Sequence, residues 1–129
     1  MNEPDYTLTV PINPVPASRI RVTRWGSYHK EPYKSFLEEA PLVIREAWGT
    51  DPPLEGWLQV TVMIARERPK KPANPYPAPD WDNFAKAVCD SMEGIVYVND
   101  KQIVDGRCVK MYAQPDEEGY IIVEINEVS

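Results

Sequence analysis

Two aspartates separated by a single residue, Asp80 and Asp82, with Lys86 and Asp100 downstream, are the side chains of this chain best arranged for chemistry. In an extended segment residues two apart point the same way, with Cα atoms roughly 6.5–7 Å from each other. Asp80 and Asp82 can therefore share a cation. Drawn together without one, they repel by on the order of 4 kcal/mol at about 4 Å and an effective dielectric near 20, so a divalent ion or a proton must relieve them. Asn99-Asp100 follows the next helix and is expected to return to the same sheet end, adding a third hard oxygen ligand of the kind Mg²⁺ or Mn²⁺ prefers. Lys86 falls one helical turn after Asp82, above the acids, where an ammonium can offset phosphate charge or protonate a leaving oxygen. Simpler accounts stand beside these: a helix cap plus a turn acid for Asp80 and Asp82, and a weak surface pair with Asp90 for Lys86.

The elements that must carry these residues follow from periodicity. Tyr6, Leu8 and Val10 alternate with polar residues and stop at Pro11, which predicts a strand. Residues 19–28 alternate basic and apolar positions up to Gly26, as in an irregular strand or an exposed loop. Leu37, Ala40, Ile44, Ala47 and Trp48 predict a helix over 33–48 that Pro41 should kink or divide. Leu58, Val60, Val62 and Ile64 form the clearest strand and deliver Arg66 and Arg68 at its end. Pro69, Pro72, Pro75, Pro77 and Pro79 make 69–79 a stiff connector. Asp82 reads as the N-cap of a helix with buried stripe Ala85, Val88, Cys89 and Met92, ended by Gly94. Trp81 should point away from the acids into the core. Strands over 102–113 and 120–127, joined by a turn at Asp116–Gly119, complete the chain. The expected fold is α+β (mixed α/β): one sheet of about four strands with two main helices on one face, in the order β-α-β-α-β-β.

A length of 129 residues suits a single domain over 1–129 with one core. No apolar run reaches a membrane span, and Met1-Asn2-Glu3-Pro4-Asp5 lacks the basic start and apolar stretch of a signal peptide, so a cytoplasmic protein without membrane contact is expected. Cys89 and Cys108 are too few and too far apart for a disulfide framework or a zinc site and read as reduced core thiols. The formal net charge of −6 argues against a protein that coats nucleic acid, but the charge is segregated. Arg19, Arg21, Arg24, Lys30 and Lys34 face only Glu31, and Arg66, Arg68, Lys70 and Lys71 face only Glu67, so both runs are candidate DNA contacts as well as ordinary solvated loops. Trp25 and Tyr28, within the first run, suit either stacking on unpaired bases or packing. His29 reads as exposed or phosphate-contacting, and Asp105 as a neighbour of the site.

The run Asp80-x-Asp82-Asn83-x-x-Lys86-x-x-x-Asp90-x-Met92-x-Gly94-x-x-Tyr97-x-Asn99-Asp100-x-Gln102-Ile103 resembles the signature of the RusA family of Holliday junction resolvases. The resemblance is close over 80–105 and looser over the rest, through the early Pro-x-Pro turn, the basic arm and the Arg-bearing strand. It implies a small homodimeric endonuclease, dependent on Mg²⁺ or Mn²⁺, that nicks four-way junction DNA and is often carried by phages and prophages. It assigns the catalytic acids to Asp80, Asp82 and Asp100 and the active-site lysine to Lys86. Two departures stand out. Many relatives have a basic residue just before the first acid, where this chain has Pro77-Ala78-Pro79, and some have a second aspartate where Asn99 stands.

The reading that joins these observations is a structure-selective DNA endonuclease in which Asp80, Asp82 and Asp100 hold the ion and Lys86 neutralises developing charge. Water is the expected nucleophile, since no serine, cysteine or tyrosine has a comparable setting. A hydrolase of small nucleotides would need the same acids and a closed base pocket. A non-catalytic junction-binding protein would need only the basic runs. Two nicks in symmetry-related strands, from a chain with one acid cluster, call for a C₂ homodimer.

Overall fold

The computed structural model describes residues 3–129. Met1 and Asn2, the first residues of the segment read above as lacking a signal peptide, lie outside the described residues. Alternation along one long strand, β4 (Trp57–Arg66) in chain order, buries Leu58, Val60, Val62 and Ile64 and leaves Gln59, Thr61 and Met63 half-buried on the other face. The main sheet runs β1 (Tyr6–Val10), β6 (Tyr120–Val128), β4, β5 (Ile103–Tyr112). β6 is antiparallel to both of its neighbours, and β4 and β5 are parallel. Register sets Leu8 beside Val123 and Val123 beside Val62, which makes one face continuously apolar. Helix α1 (Tyr33–Trp48) packs on β1, α2 (Trp81–Met92) packs on β4 and β5, and the two helices pack on each other. Their buried faces, including Tyr33, Phe36, Ile44, Phe84 and Met92, join the sheet in one core. Each such large side chain contributes about 1.5–3 kcal/mol. The expected α+β class, four-stranded sheet and pair of helices on one face are all present.

Several expectations need correction. Residues 19–28 are neither irregular strand nor loop but a hairpin, β2 (Ile20–Thr23) with β3 (Gly26–His29), forming its own two-stranded sheet. Pro41 does not divide α1, which stays one helix of 16 residues. The apolar face continues through Phe36, Ala40 and Ile44 on both sides of the proline, so packing outweighs the lost donor, a cost of about 3 kcal/mol. The buried stripe of α2 is Phe84, Ala87, Val88, Ser91 and Met92, rotated from the expected one, so that Cys89 borders the core, Ala85 is half-buried and Trp81 is 56% exposed. β5 and β6 follow one another in sequence but are not neighbours, because β4 lies between them. No helix among the described residues is long and apolar enough to cross a membrane.

One buried polar side chain belongs to the fold itself. The Gln102 amide donates to the carbonyls of Leu54 and Gly56 (2.9 and 2.8 Å), and its oxygen accepts from the backbone N–H groups of Val98 and Asn99 (3.0 and 2.9 Å). The chain entering β4 is thereby tied to the turn that precedes β5. Gly94, at φ +83, makes the reversal between α2 and that turn, and its N–H donates to Tyr97 O at 2.7 Å.

Burial pushes the Cys89 thiol from 9.0 up to about 11, and burial together with Asp90 pushes the Tyr33 phenol from 10.0 up to about 12. Below the lower unfolded value both groups are neutral in both states. Above it the unfolded chain loses protons first, so stability falls as pH rises through the window from 9.0 to about 12. Thermal melts should give a level Tm up to that window and a steady decline within it, with the earlier part of the decline reduced in Cys89→Ala and the remainder of it supplied by Cys108, whose thiol burial also raises. A Tm unchanged across the window would contradict the linkage.

Candidate functional site

Where β4 ends, the proline-rich stretch 69–79 carries the chain to the start of α2, and Asp80, not Asp82, is the cap residue, in extended conformation (φ −62, ψ 140). Its carbonyl accepts from the N–H groups of Asn83 and Phe84 (3.1 and 3.4 Å), but its carboxylate makes no capping bond. Asp82 lies in the first helical turn, so the two acids share a helix mouth rather than one side of an extended strand. Both are exposed, and neither forms an ion pair among the described residues. Capping therefore does not account for the Asp80 side chain. The free amides and positive dipole of the helix start favour negative charge there.

Lys110 holds this mouth in place. Its ammonium donates to the carbonyl of Pro79 at 2.9 Å, tying the residue before Asp80 to β5. Sequence reasoning missed it, although a signal was available: Lys110 is the lone charge at the alternate positions Cys108, Lys110 and Tyr112, whose partners Val62, Ile64 and Arg66 include buried core.

Lys86 is reached one turn into the helix, but its partner is Asp90, at 3.1 Å, with side chains 62% and 34% exposed. Asp90 also accepts from the buried Tyr33 hydroxyl at 3.4 Å, which links α1 to the pair. The raised phenol keeps Tyr33 a proton donor at neutral pH. Such an exposed pair contributes little to stability, so its effect is to orient the ammonium. Lys86, Asn83, Arg19, Ser18 and Ala17 line one open cleft. The backbone N–H of Ala17 donates to Asn83 O at 2.9 Å, which fixes the root of the basic arm against the helix start.

Asp100 lies elsewhere. It opens a 3₁₀ turn (Asp100–Gln102), and its N–H donates to Glu93 Oε1 at 3.0 Å, beside the far end of α2. The 12 residues of α2 span about 18 Å, so Asp80 and Asp82 stand at one end of the helix and Asp100 at the other. The expectation that all three acids return to one sheet end is overturned. Parallel pairing sets Ile103 level with Leu58, near the start of β4, whereas the helix mouth follows the end of β4. Among the described residues no group of three or more His, Cys, Asp or Glu side chains could hold a metal ion. A groove of about 400 Å³ between α2 and β5, with Trp81, Cys89, Asp100 and Arg107 in its walls, runs between the two ends.

The basic candidates fall into two groups. Arg19, Arg21, Arg24 and Lys30 are exposed on and beside the β2–β3 hairpin. Arg66 and Arg68 leave β4 on the side of the helix mouth, but both are partly engaged: Arg66 lies over Phe84 at 5.6 Å, and Arg68 lies over Tyr112 at 5.6 Å and donates to Ala113 O at 3.1 Å. Lys70 and Lys71 are exposed at the start of the connector. Asn13 steadies this corner by accepting from the Glu67 N–H at 2.8 Å, and it packs so close to Gly119 that a Cβ there would collide with it.

Replacing Lys110 with Met keeps its length on β5 but removes the bond to Pro79. If the helix mouth is where phosphodiesters are cut, nicking should fall by about tenfold or more with the fold retained, since small displacements of reacting groups are costly in rate. Unchanged nicking by a folded Lys110→Met protein would show that the bond does not position the acids.

A family model described as endodeoxyribonuclease RusA matches residues 11–126. The uncharacterized protein YqaN of Bacillus subtilis (strain 168) is 29% identical over 138 residues, which cover 94% of this chain and 95% of that protein.

Proposed function

The chain belongs to the RusA endodeoxyribonuclease family, and on that premise we propose that it resolves four-way DNA junctions by hydrolysing phosphodiesters at the mouth of α2. The observation that carries this reading is the pair of uncommitted carboxylates, Asp80 and Asp82, beside a cleft that holds Lys86 and Arg19. Arg19 and the exposed basic residues of the arm and connector bind phosphates. Lys86, oriented by Asp90, neutralises charge as it grows on the cleaved phosphate. The nucleophile is water: burial raises the Cys89 thiol to about 11 and holds Cys108 above its ordinary value too, so neither is a thiolate at neutral pH.

Mg²⁺ or Mn²⁺ is the proposed cofactor. Asp80 and Asp82 suit it, as hard oxygen donors with no protein partner, in number enough for an ion that commonly takes one or two carboxylates together with phosphate and water. When bound, such an ion supplies Lewis-acid stabilisation and a more acidic water. Asp100 of the same chain, at the far end of α2, is not part of that pair. We therefore propose a homodimer in which Asp100 of a second copy comes to the helix mouth, so that each site draws on both chains. The separation of the acids within one chain also favours a second reading, a junction-binding protein without catalysis.

Nicking of four-way junctions, linear duplex and free nucleotides, with Mg²⁺, Mn²⁺ or EDTA, separates these readings. Asp82→Asn should lose essentially all cleavage and bind junctions as well as or better than the wild type, because less negative charge faces the phosphates. A non-catalytic binder would show no metal-dependent nicking in the wild type. Asp82→Asn and Asp100→Asn, each inactive alone, should recover nicking when mixed and allowed to exchange subunits, because the heterodimer contains one site with both acids intact. No recovery from a mixture proven to contain heterodimers would place all the acids in one chain.

A further inference from the structure

The β2–β3 hairpin is left without a specific task by this reading. From Pro14 to Lys30 the chain contains no acid, and every residue from Ser18 to Tyr28 is exposed, apolar ones included: Val22 is 82% and Trp25 85% exposed. A two-stranded ribbon in water is marginal by itself, and this one has local support. At its apex Thr23 Oγ1 donates to Gly26 O at 3.0 Å and accepts from the Trp25 N–H at 3.2 Å, and Gly26, at φ +128, takes a conformation that side-chain-bearing residues rarely adopt. The Arg24 guanidinium lies over the Trp25 ring, 4.8 Å from its centre. At its root Ala17 is bonded to Asn83, and His29 meets the buried Tyr33 edge-on with ring centres 5.1 Å apart.

A positioned indole at the tip of an acid-free basic ribbon fits nucleic acid whose base stack is already broken. Arginines neutralise phosphates without regard to sequence, and an aromatic ring replaces a missing stacking neighbour. In continuous duplex the same ring must first part a base step, which costs free energy that a branch point has already spent. Arg21, paired across the ribbon with Tyr28, supplies charge beside a second exposed ring.

Building on the junction-nuclease reading, we propose that the hairpin is a wedge whose Trp25 stacks on the bases at the centre of a four-way junction, with Arg21 and Arg24 on the flanking phosphates. The arm also acts as a spacer. From Arg19, in the cleft with Lys86, to Trp25 is no more than about 20 Å of extended chain, or roughly six nucleotide steps along one strand. The wedge therefore sets how far from the branch the phosphate beside Lys86 lies.

The test uses the full-length protein in EDTA and a junction with 2-aminopurine at the branch. Wild-type protein should lower the fluorescence severalfold, because an exposed branch base that stacks on the indole is quenched, and Trp25→Phe should keep part of the fall. Trp25→Ala should lose it, with junction affinity down about tenfold, equivalent to about 1.4 kcal/mol, and affinity for linear duplex unchanged. With Mg²⁺ the nicks made by Trp25→Ala should spread over several phosphates. Wild type that neither prefers nor nicks junctions would overturn the nuclease reading and the wedge with it. Wild type that does both, while Trp25→Ala matches it in fluorescence, junction preference and nick position, overturns the wedge alone. Trp25→Ala that sediments as a lighter species than the wild type assigns the arm to a second copy of the chain and likewise overturns the wedge.

Discussion

The parallel pairing of β4 with β5 is the constraint on which the rest of the molecule depends. Parallel neighbours cannot be joined by a tight turn, so the chain leaving β4 at Arg66 must travel back along the whole sheet before β5 begins. The proline-rich stretch and α2 make that return, and α2 buries Phe84, Val88 and Met92 on the way. Everything chemical follows from the path. Asp80 and Asp82 open the return, Lys86 rides on it, and Asp100 stands where it ends. The Lys110–Pro79 bond and the Gln102 amide fasten its two ends to the strands. A carboxylate pair at the carboxyl end of a strand, on the start of the following helix, is also where open α/β sheets commonly bind ligands.

Much of this architecture was legible because it rests on local periodicity. β1, β4 and β6 alternate over most of their length, and the apolar spacing of α1 and α2 is helical, so element type and rough extent followed from the sequence alone. What was not legible depends on partners distant in sequence. Pro41 reads as a break only if the gain from burying Phe36, Ala40 and Ile44 together is unknown. The stripe of α2 shares Val88 and Met92 with the expected one and was rotated because Ala85 and Cys89 are as apolar as Ala87, and only contact with α1 and the sheet selects between the two faces. The insertion of β4 between β5 and β6 has no local signature.

The site divides in the same way. The types and spacing of Asp80, Asp82 and Lys86 placed them on one helix start, and that assembly is local. Which of the two acids caps the helix was misjudged because aspartate suits either position. The placement of Asp100 failed for a topological reason, since its distance from Asp82 depends on whether β5 is parallel or antiparallel to β4. The Lys86–Asp90 pair is local and was legible, whereas the bonds of Tyr33 to Asp90 and of Lys110 to Pro79 join residues far apart in sequence, with only the lone charge at Lys110 to hint at the second.

Gln102 has a bearing on what the shared signature records. Its amide donates twice and accepts twice, all to backbone, in a place where water does not reach freely. Glutamate offers no donor, leucine offers neither function, and asparagine is one methylene short of spanning the same four groups. The position thus tolerates essentially one amino acid, for reasons of folding alone. A descendant that lost every acid at the helix mouth would still need this glutamine to close the turn before β5. The most restrictive letter of the motif therefore testifies to common architecture, and only the acids themselves can testify to a working nuclease.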